Sequence, residues 1–266
     1  MTGATGLIGR SVMRALADTR HDAVAVVRDA SGKPWRLGAM VDPELTKDAF
    51  GLVHLAWNSD PAKSEMNVMG SAVLFDQMRQ AGVNRVVFVS SQSAGASRPT
   101  RYGRGKLAVE SLLLGQQELS VRPGLVWSDP PAGTFARIVQ TRALGRVIAA
   151  RTKPILHPVH LDDIADILSR AAVSTIPSGV IEVGATTPLS MQALVQVALG
   201  EPASLVLPLG SLRLAGRILS LAGARGRVIA DRLLGLNELE RMSDPQDCVL
   251  GVKCRPLRRV RAPHGL

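Results

Sequence analysis

Residues 2–9 read Thr-Gly-Ala-Thr-Gly-Leu-Ile-Gly, placing glycines at Gly3, Gly6 and Gly9. Glycines at this spacing serve three ends: a sharp turn, close approach of backbone to a diphosphate, and close packing of a helix on a strand. A helix that starts in such a loop turns its first amides and its positive dipole end toward phosphates. The trio alone also fits a plain loop, and its surroundings separate the two. Residues 10–17 have helical character, and residues 22–28 (DAVAVVR) read as a strand. Only Met1 precedes Thr2, so in this reading the buried first strand that leads into the loop is missing or truncated.

Outward from the loop, aliphatic strands alternate with helical stretches, the pattern of βαβ units. Residues 51–56 (GLVHLA) and 84–91 (NRVVFVSS) predict strands, and residues 64–81 predict a helix stopped by Gly82. Residues 102–117 predict a second helix, ending near Gly115, and residues 119–123 a strand running into Gly124. Beyond Ser128 the pattern is less regular. Short elements at 180–183, 190–199 and 209–221 suggest a smaller lobe packed on the main sheet. The fold class expected is α/β, a Rossmann-like doubly wound parallel sheet with a smaller C-terminal substrate lobe. Residues 1–128 would form the dinucleotide-binding core. Residues 129–266 would contribute late core elements and the substrate lobe.

Two hydroxyls, Ser90 and Ser91, end the strand at 84–91, at the carboxyl edge where open α/β sheets bind ligands. Tyr102 is the only tyrosine in the chain, and one of its six lysines, Lys106, follows four residues later. On a helix these two share a face. An ammonium beside a phenol favours the phenolate, drawing a pKa of about 10 toward neutrality. Tyr102 can then act as general acid or base on an alcohol or carbonyl. Arg28 closes the second strand, where an acidic residue would hydrogen-bond the ribose of NAD and an arginine can take the 2′-phosphate of NADP. NADP is therefore favoured over NAD, although Asp29 follows at once.

The spacing G-x-x-G-x-x-G, with Tyr102-x-x-x-Lys106 downstream, resembles the extended short-chain dehydrogenase/reductase family of nucleotide-sugar epimerases, dehydratases and reductases. Further stretches are similar to that family: Val53-His54-Leu55-Ala56, Asn67-Val68-Met69-Gly70-Ser71, Arg122-Pro123-Gly124-Leu125-Val126 and His160-Leu161-Asp162-Asp163-Ile164-Ala165. The resemblance covers most of residues 2–200. It implies that Ser91, Tyr102 and Lys106 are catalytic, with Ser91 bonding the reacting oxygen and Lys106 also holding the nicotinamide ribose. Ser93 is the substitute for Ser91. The cofactor would lie on Gly3, Thr5, Gly6, Leu7, Ile8, Gly9, Arg28, Leu55, Ala56, Ser90, Tyr102, Lys106, Pro123 and Gly124. Dehydratases of the family carry an acidic pair after the active hydroxyl; here Gln92 and Ser93 follow Ser91. That shifts the expected reaction to epimerisation or carbonyl reduction by reversible hydride transfer on a sugar-like, even nucleotide-sugar, substrate. The alternative is a non-catalytic NADP-binding regulator or assembly factor of the same fold, although such proteins commonly lose the tyrosine or lysine that this chain keeps.

Composition narrows the remaining classes. The formal net charge is +10, but its arginines are dispersed and aromatics make up only 3% of the chain. Stacking platforms for nucleic acid need aromatics, so no nucleic-acid partner is expected. Arg142, Arg146 and Arg217 are guesses for diphosphate contacts. Cys248 and Cys254 form neither a disulfide framework nor a zinc site, which points to the cytoplasm. His157, His160, Asp162 and Asp163 match no defensible ligand geometry, so no metal is expected. They read instead as a turn and as the cap of a helix beginning near Asp162, a role in which Asp is favoured. No apolar run reaches the ~18 residues of a membrane span; residues 205–222 are broken by Pro208, Arg213 and Arg217. A homodimer is the assembly considered.

Overall fold

The computed structural model describes residues 1–27, 32–97, 99–140, 153–174, 178–200 and 239–261. In chain order its main elements are α1 (Leu7–Ala17), β1 (Val26–Val27), β2 (Lys33–Pro34), β3 (Leu52–His54), α2 (Ser64–Gln80), β4 (Arg85–Val89), α3 (Arg101–Glu110), β5 (Gln117–Pro123) and β6 (Leu125–Trp127). There follow α4 (Gly133–Gln140), β7 (Pro158–His160), α5 (Leu161–Val173), β8 (Gly179–Val183), α6 (Met191–Leu199), β9 (Pro245–Gln246), β10 (Cys248–Val249) and β11 (Val252–Lys253).

β4 shows why the sheet needs cover on both faces. Alternate side chains of a strand point to opposite sides, and here all of Val86, Val87, Phe88 and Val89 are apolar and buried. Val87 and Val89 join Val12 and Leu16 of α1 and Ile164, Ile167 and Leu168 of α5 in one core. Val86 and Phe88 join Leu74, Phe75 and Met78 of α2 and Val109 of α3 in the other. The strands run β3-β4-β5-β8-β9, all parallel, as a doubly wound sheet requires.

Thr2 takes a strand position between β1 and β3. Thr2 forms parallel bridges to Val26 and to His54, and so joins the β1–β2 pair to β3. Its amide donates to the Val53 carbonyl at 3.0 Å, and its carbonyl accepts from Leu55 at 3.3 Å. From Thr2 the chain winds first toward β1 and β2, then crosses to β3 and β4. The crevice beyond Thr2 is thus the topological switch point, where open α/β sheets take ligands.

Three boundaries depart from the sequence reading. The helix expected over residues 102–117 stops at Glu110. The Glu118 carboxylate accepts the amides of Leu114 (2.6 Å) and Gly115 (3.0 Å) and pairs with Arg79 at 2.8 Å, so those amides are satisfied outside a helix. The strand expected at 180–183 pairs with β5 in the main sheet rather than in a lobe. The strand expected at 22–28 contracts to Val26–Val27 among the described residues. The helix expected at 209–221 and the stretch 205–222 lie outside the described residues.

A third apolar cluster is separate from the sheet's two cores. Leu125 and Trp127 of β6, Phe135, Ile138 and Val139 of α4, and Met191, Leu194 and Val195 of α6 bury against Leu156, Leu239 and Val260. Among the described residues β6 pairs only with β7, in parallel. Gly124 turns the chain from β5 into β6 so close to β7 that a Cβ there would lie 1.8 Å from the His157 carbonyl oxygen.

Candidate active site

The glycine loop owes its shape to contacts that side chains would obstruct. Gly3 sits at φ +70, and a Cβ on it would meet the Ala56 amide nitrogen at 2.7 Å. A Cβ on Gly9 would lie 2.1 Å from the Gly3 carbonyl oxygen, because α1 rests directly on the loop. Gly6 meets only that oxygen, at 3.2 Å. It precedes α1 at the N-cap without any side-chain cap, so the first amides of the helix have no intrahelical or capping partner. An open helix N-terminus of this kind suits an anion.

Thr2, which carries the loop, is held by side chains as well as backbone. Ser71 Oγ donates to the Asn67 carbonyl at 2.8 Å, so it accepts from His54 Nε2–H at 2.9 Å, and Thr2 Oγ1 donates to His54 Nδ1 at 2.7 Å. Complete burial, with the nearby Lys106 charge, drives the His54 pKa down to about 3, and the ring stays neutral. Asn67 in turn exchanges bonds of 2.8 and 2.9 Å with the Asn58 backbone, fixing the loop that carries Trp57 and Ser59.

At the carboxyl end of β4, Ser90 is 3% exposed and its hydroxyl has no hydrogen-bond partner among the described residues. Ser91 caps the 3-10 turn Gln92–Gly95: its Oγ accepts the Ser93 amide at 3.3 Å and lies 3.0 Å from Ser93 Oγ. Thr100 caps α3 by accepting from the Gly103 amide at 3.1 Å. One turn into that helix, Tyr102 and Lys106 face the same side. Lys106 is 3% exposed; its Nζ donates to the Val89 carbonyl at 2.7 Å and lies 4.0 Å from the Trp57 ring centre and 5.9 Å from that of Tyr102. Trp57 meets Tyr102 edge-on at 5.7 Å between ring centres. Burial pulls the Lys106 pKa down to about 7, against a smaller opposing pull from Glu110.

The glycine loop, the end of β4 and the Tyr102–Lys106 face of α3 border one cavity of about 440 Å³. Of the residues assigned from sequence, Gly3, Gly6, Leu7, Ile8, Gly9, Leu55, Ser90, Ser91, Tyr102, Lys106, Pro123 and Gly124 line it. Two do not. Thr5 is exposed, its carbonyl accepting from Arg10, and the Ala56 amide turns back to Thr2 Oγ1 at 3.4 Å. Arg28, Arg142, Arg146 and Arg217 lie outside the described residues. Among the lining residues missed from sequence are Trp57, Gln92, Gly133, Thr134 and Leu239. Gln92 had a signal, standing directly after Ser91. Leu239 had none, since only the fold brings it there.

The histidines near residue 160 have structural partners. His160 is the cap of α5, accepting the Asp162 amide at 3.2 Å, so a histidine fills the role expected of aspartate. Asp163, buried in the first turn of that helix, pairs with Arg255 Nε at 2.9 Å and accepts the Arg255 amide at 2.6 Å. His157 bonds the Ala185 carbonyl at 2.7 Å through Nδ1 and takes the Met242 amide at 3.3 Å on Nε2.

The buried ammonium has a consequence for stability. Between about 7 and the ordinary lysine range near 10.5, folded Lys106 has lost its proton while the unfolded chain keeps it. The unfolded state then binds more protons, so stability rises with pH across that window. Lys106→Met is expected to remove this part of the rise. Melting temperatures of both proteins from pH 6.5 to 10 check it, and parallel curves would refute it.

Comparison with known proteins agrees with this architecture. Residues 1–119 match the model of the NAD dependent epimerase/dehydratase family, which bears out the resemblance carried by the glycine loop. The uncharacterized protein Rv2047c of Mycobacterium tuberculosis is 27% identical over 224 residues, 79% of this chain and 24% of that protein. The chain thus spans about a quarter of the length of the curated relatives it first matches. Among solved structures, MoeE5 in complex with UDP-glucose and NAD is similar at a TM-score of 0.62 and 23% identity, over 78% of this chain and 84% of that one. UDP-N-acetylglucosamine 4-epimerase from Bacillus cereus gives 0.57 at 18% identity, over 71% and 76%. These likenesses show the fold.

Proposed function

We propose that this chain, whose first 119 residues match the NAD dependent epimerase/dehydratase family, is a nicotinamide-dependent reductase or epimerase acting on a sugar-like alcohol or carbonyl, nucleotide-sugars included. One observation carries the reading: Tyr102 and Lys106, one turn apart on α3, share a single cavity with the glycine loop and with Ser90, Ser91 and Ser93. When bound, the nicotinamide dinucleotide supplies or accepts the hydride.

The chain's own residues do the rest. The amides opening α1 would hold the pyrophosphate, and Ser90, Pro123 and Gly124 would wall the nicotinamide end. Ser91, with Ser93 beside it, donates a hydrogen bond to the reacting oxygen. Tyr102 gives its phenolic proton to that oxygen when a carbonyl is reduced, and takes it back when an alcohol is oxidised. Lys106, where it keeps its proton, favours the phenolate through its charge, and would bond the ribose of a bound cofactor. Gln92 stands where an acidic group would be needed for β-elimination, so dehydration is not part of the proposal. NADP is favoured over NAD because an arginine, Arg28, follows β1.

Thermal melts with NADPH and NADH test the cofactor part. A ligand at 100 times its Kd stabilises by about 2.7 kcal/mol, and NADPH is expected to do so at lower concentration than NADH. If neither moves the melting temperature, the reading fails. The catalytic part is checked by interconversion of UDP-glucose and UDP-galactose and by NADPH-dependent reduction of hydroxyketones. Cofactor binding without any turnover that depends on Tyr102 would favour the non-catalytic regulator.

A further inference from the structure

Trp57 follows β3 in the loop that Asn67 ties down through the Asn58 backbone, and its half-buried ring lines the cavity beside Tyr102 and Lys106. Shape places the ring as well. α3 offers it a seat at Gly105, where a Cβ would lie 3.3 Å from Trp57 Cζ2 and 3.4 Å from Cη2. From that seat the indole lies 4.0 Å from Lys106 Nζ, centre to nitrogen, and stands at 81° to the Tyr102 ring. Phe88, fully buried in β4, has its ring centre 4.7 Å from the same nitrogen. The Val89 carbonyl takes one hydrogen of the ammonium. Of the two rings on Nζ, Trp57 is the one that borders the cavity.

An aromatic face attracts a cation and at the same time keeps water from it. The titratable groups around Lys106 leave that part to the rings. Glu110, one turn further along α3, is bonded by Arg122 at 2.6 and 2.9 Å. His54, on β3, is neutral. Tyr102 is the group on which the ammonium is proposed to act.

We infer that Trp57 is a positioning residue for the reaction: its ring keeps the Lys106 ammonium dry, on the Val89 carbonyl and in one place beside Tyr102. This rests on the reductase or epimerase reading and adds a residue from outside the glycine loop, β4 and α3. Trp57 then also sets the pH range over which Lys106 is charged. Removing the ring admits water, which favours the charged form, and removes a π face, which disfavours it. Burial is the largest influence on Lys106, holding its pKa at about 7, so the first effect prevails.

The first arm of the test needs no turnover. The chain has six lysines; with lysine isotopically labelled at Cε, the nuclear magnetic resonance signal missing from Lys106→Met is that of Lys106. In wild type it is expected upfield of the other lysines, displaced by the two ring faces, and to titrate near pH 7. Trp57→Ala is expected to lose most of that displacement and to titrate at least about one pH unit higher. Trp57→Phe, which keeps a ring on the ammonium, is expected within about half a unit of wild type. Trp57→Leu, which covers Lys106 without a π face, is expected to titrate below wild type, and it carries the test if Trp57→Ala folds poorly. The second arm is kcat against pH for NADPH-dependent reduction of hydroxyketones, whose apparent pKa is expected to move with the Lys106 titration. Ordinary lysine titration of Lys106 in wild type, or an unmoved titration in the Ala and Leu variants, would overturn the inference and leave the enzyme reading standing. A titration that moves without the kcat profile would make the contact structural and overturn it equally. Absence of turnover in wild type would overturn the enzyme reading and the inference with it.

Discussion

Tyr102→Phe is expected to lower turnover about 10³-fold, the middle of the range for removing a general acid–base group, while NADPH binds as before. The substitution keeps the ring that Trp57 meets edge-on and removes only the phenolic oxygen. Helix α3 should be undisturbed, because its start is capped by Thr100 and Lys106 still bonds the Val89 carbonyl. Single-turnover measurements at saturating NADPH separate the outcomes. Loss of the chemical step with an unchanged Kd agrees with the proposed role. A parallel loss of cofactor affinity would mean that Tyr102 is part of the binding surface instead, and full retained activity would remove it from the reaction.

The second large effect separates two glycines of one loop. Gly9→Ala would place a Cβ 2.1 Å from the Gly3 carbonyl oxygen and 2.9 Å from the Ala4 Cα, both backbone atoms that cannot rotate away. Helix α1 must lift off the loop, costing about 3 kcal/mol or more and lowering the melting temperature by roughly 10 °C. Gly6→Ala meets only the Gly3 carbonyl oxygen, at 3.2 Å, and Gly6 already has φ −71, which alanine adopts freely. Its methyl is expected to leave the melting temperature within about 2 °C, since about 0.5 kcal/mol is typical of a tolerated change, yet to weaken NADPH at least tenfold by crowding the pyrophosphate. Equal destabilisation by both would refute the division of labour between fold and cofactor within the loop. Unchanged NADPH affinity in Gly6→Ala would remove Gly6 from the cofactor surface.

The parts legible in the sequence share a cause: their physics is local. The unbroken apolar run at 86–89 requires cover on both faces wherever it occurs. The four-residue step from Tyr102 to Lys106 sets both on one helical face by geometry alone. Gly82 ends α2 at φ +79, as its position suggested. Errors arose where a distant partner competed with local preference. Glu118 draws the amides of Leu114 and Gly115 out of a helix that propensity would continue. The strand expected in a lobe at 180–183 is likewise taken into the main sheet by β5.

By itself, then, the amino-acid sequence determined the class of fold, the glycine loop and the shared face of Tyr102 and Lys106, because each rests on spacing within one or two elements. Only the tertiary structure decided how that loop is held. Thr2 is anchored between β1 and β3 and braced by neutral, buried His54, a bond spanning 52 residues of chain. Only it set Trp57 over the Lys106 ammonium, pulled that pKa to about 7, and joined Gln92 to Glu240 across 148 residues. Burial, and pairing between groups far apart in the chain, arise from the folded whole and are written in no single stretch of it.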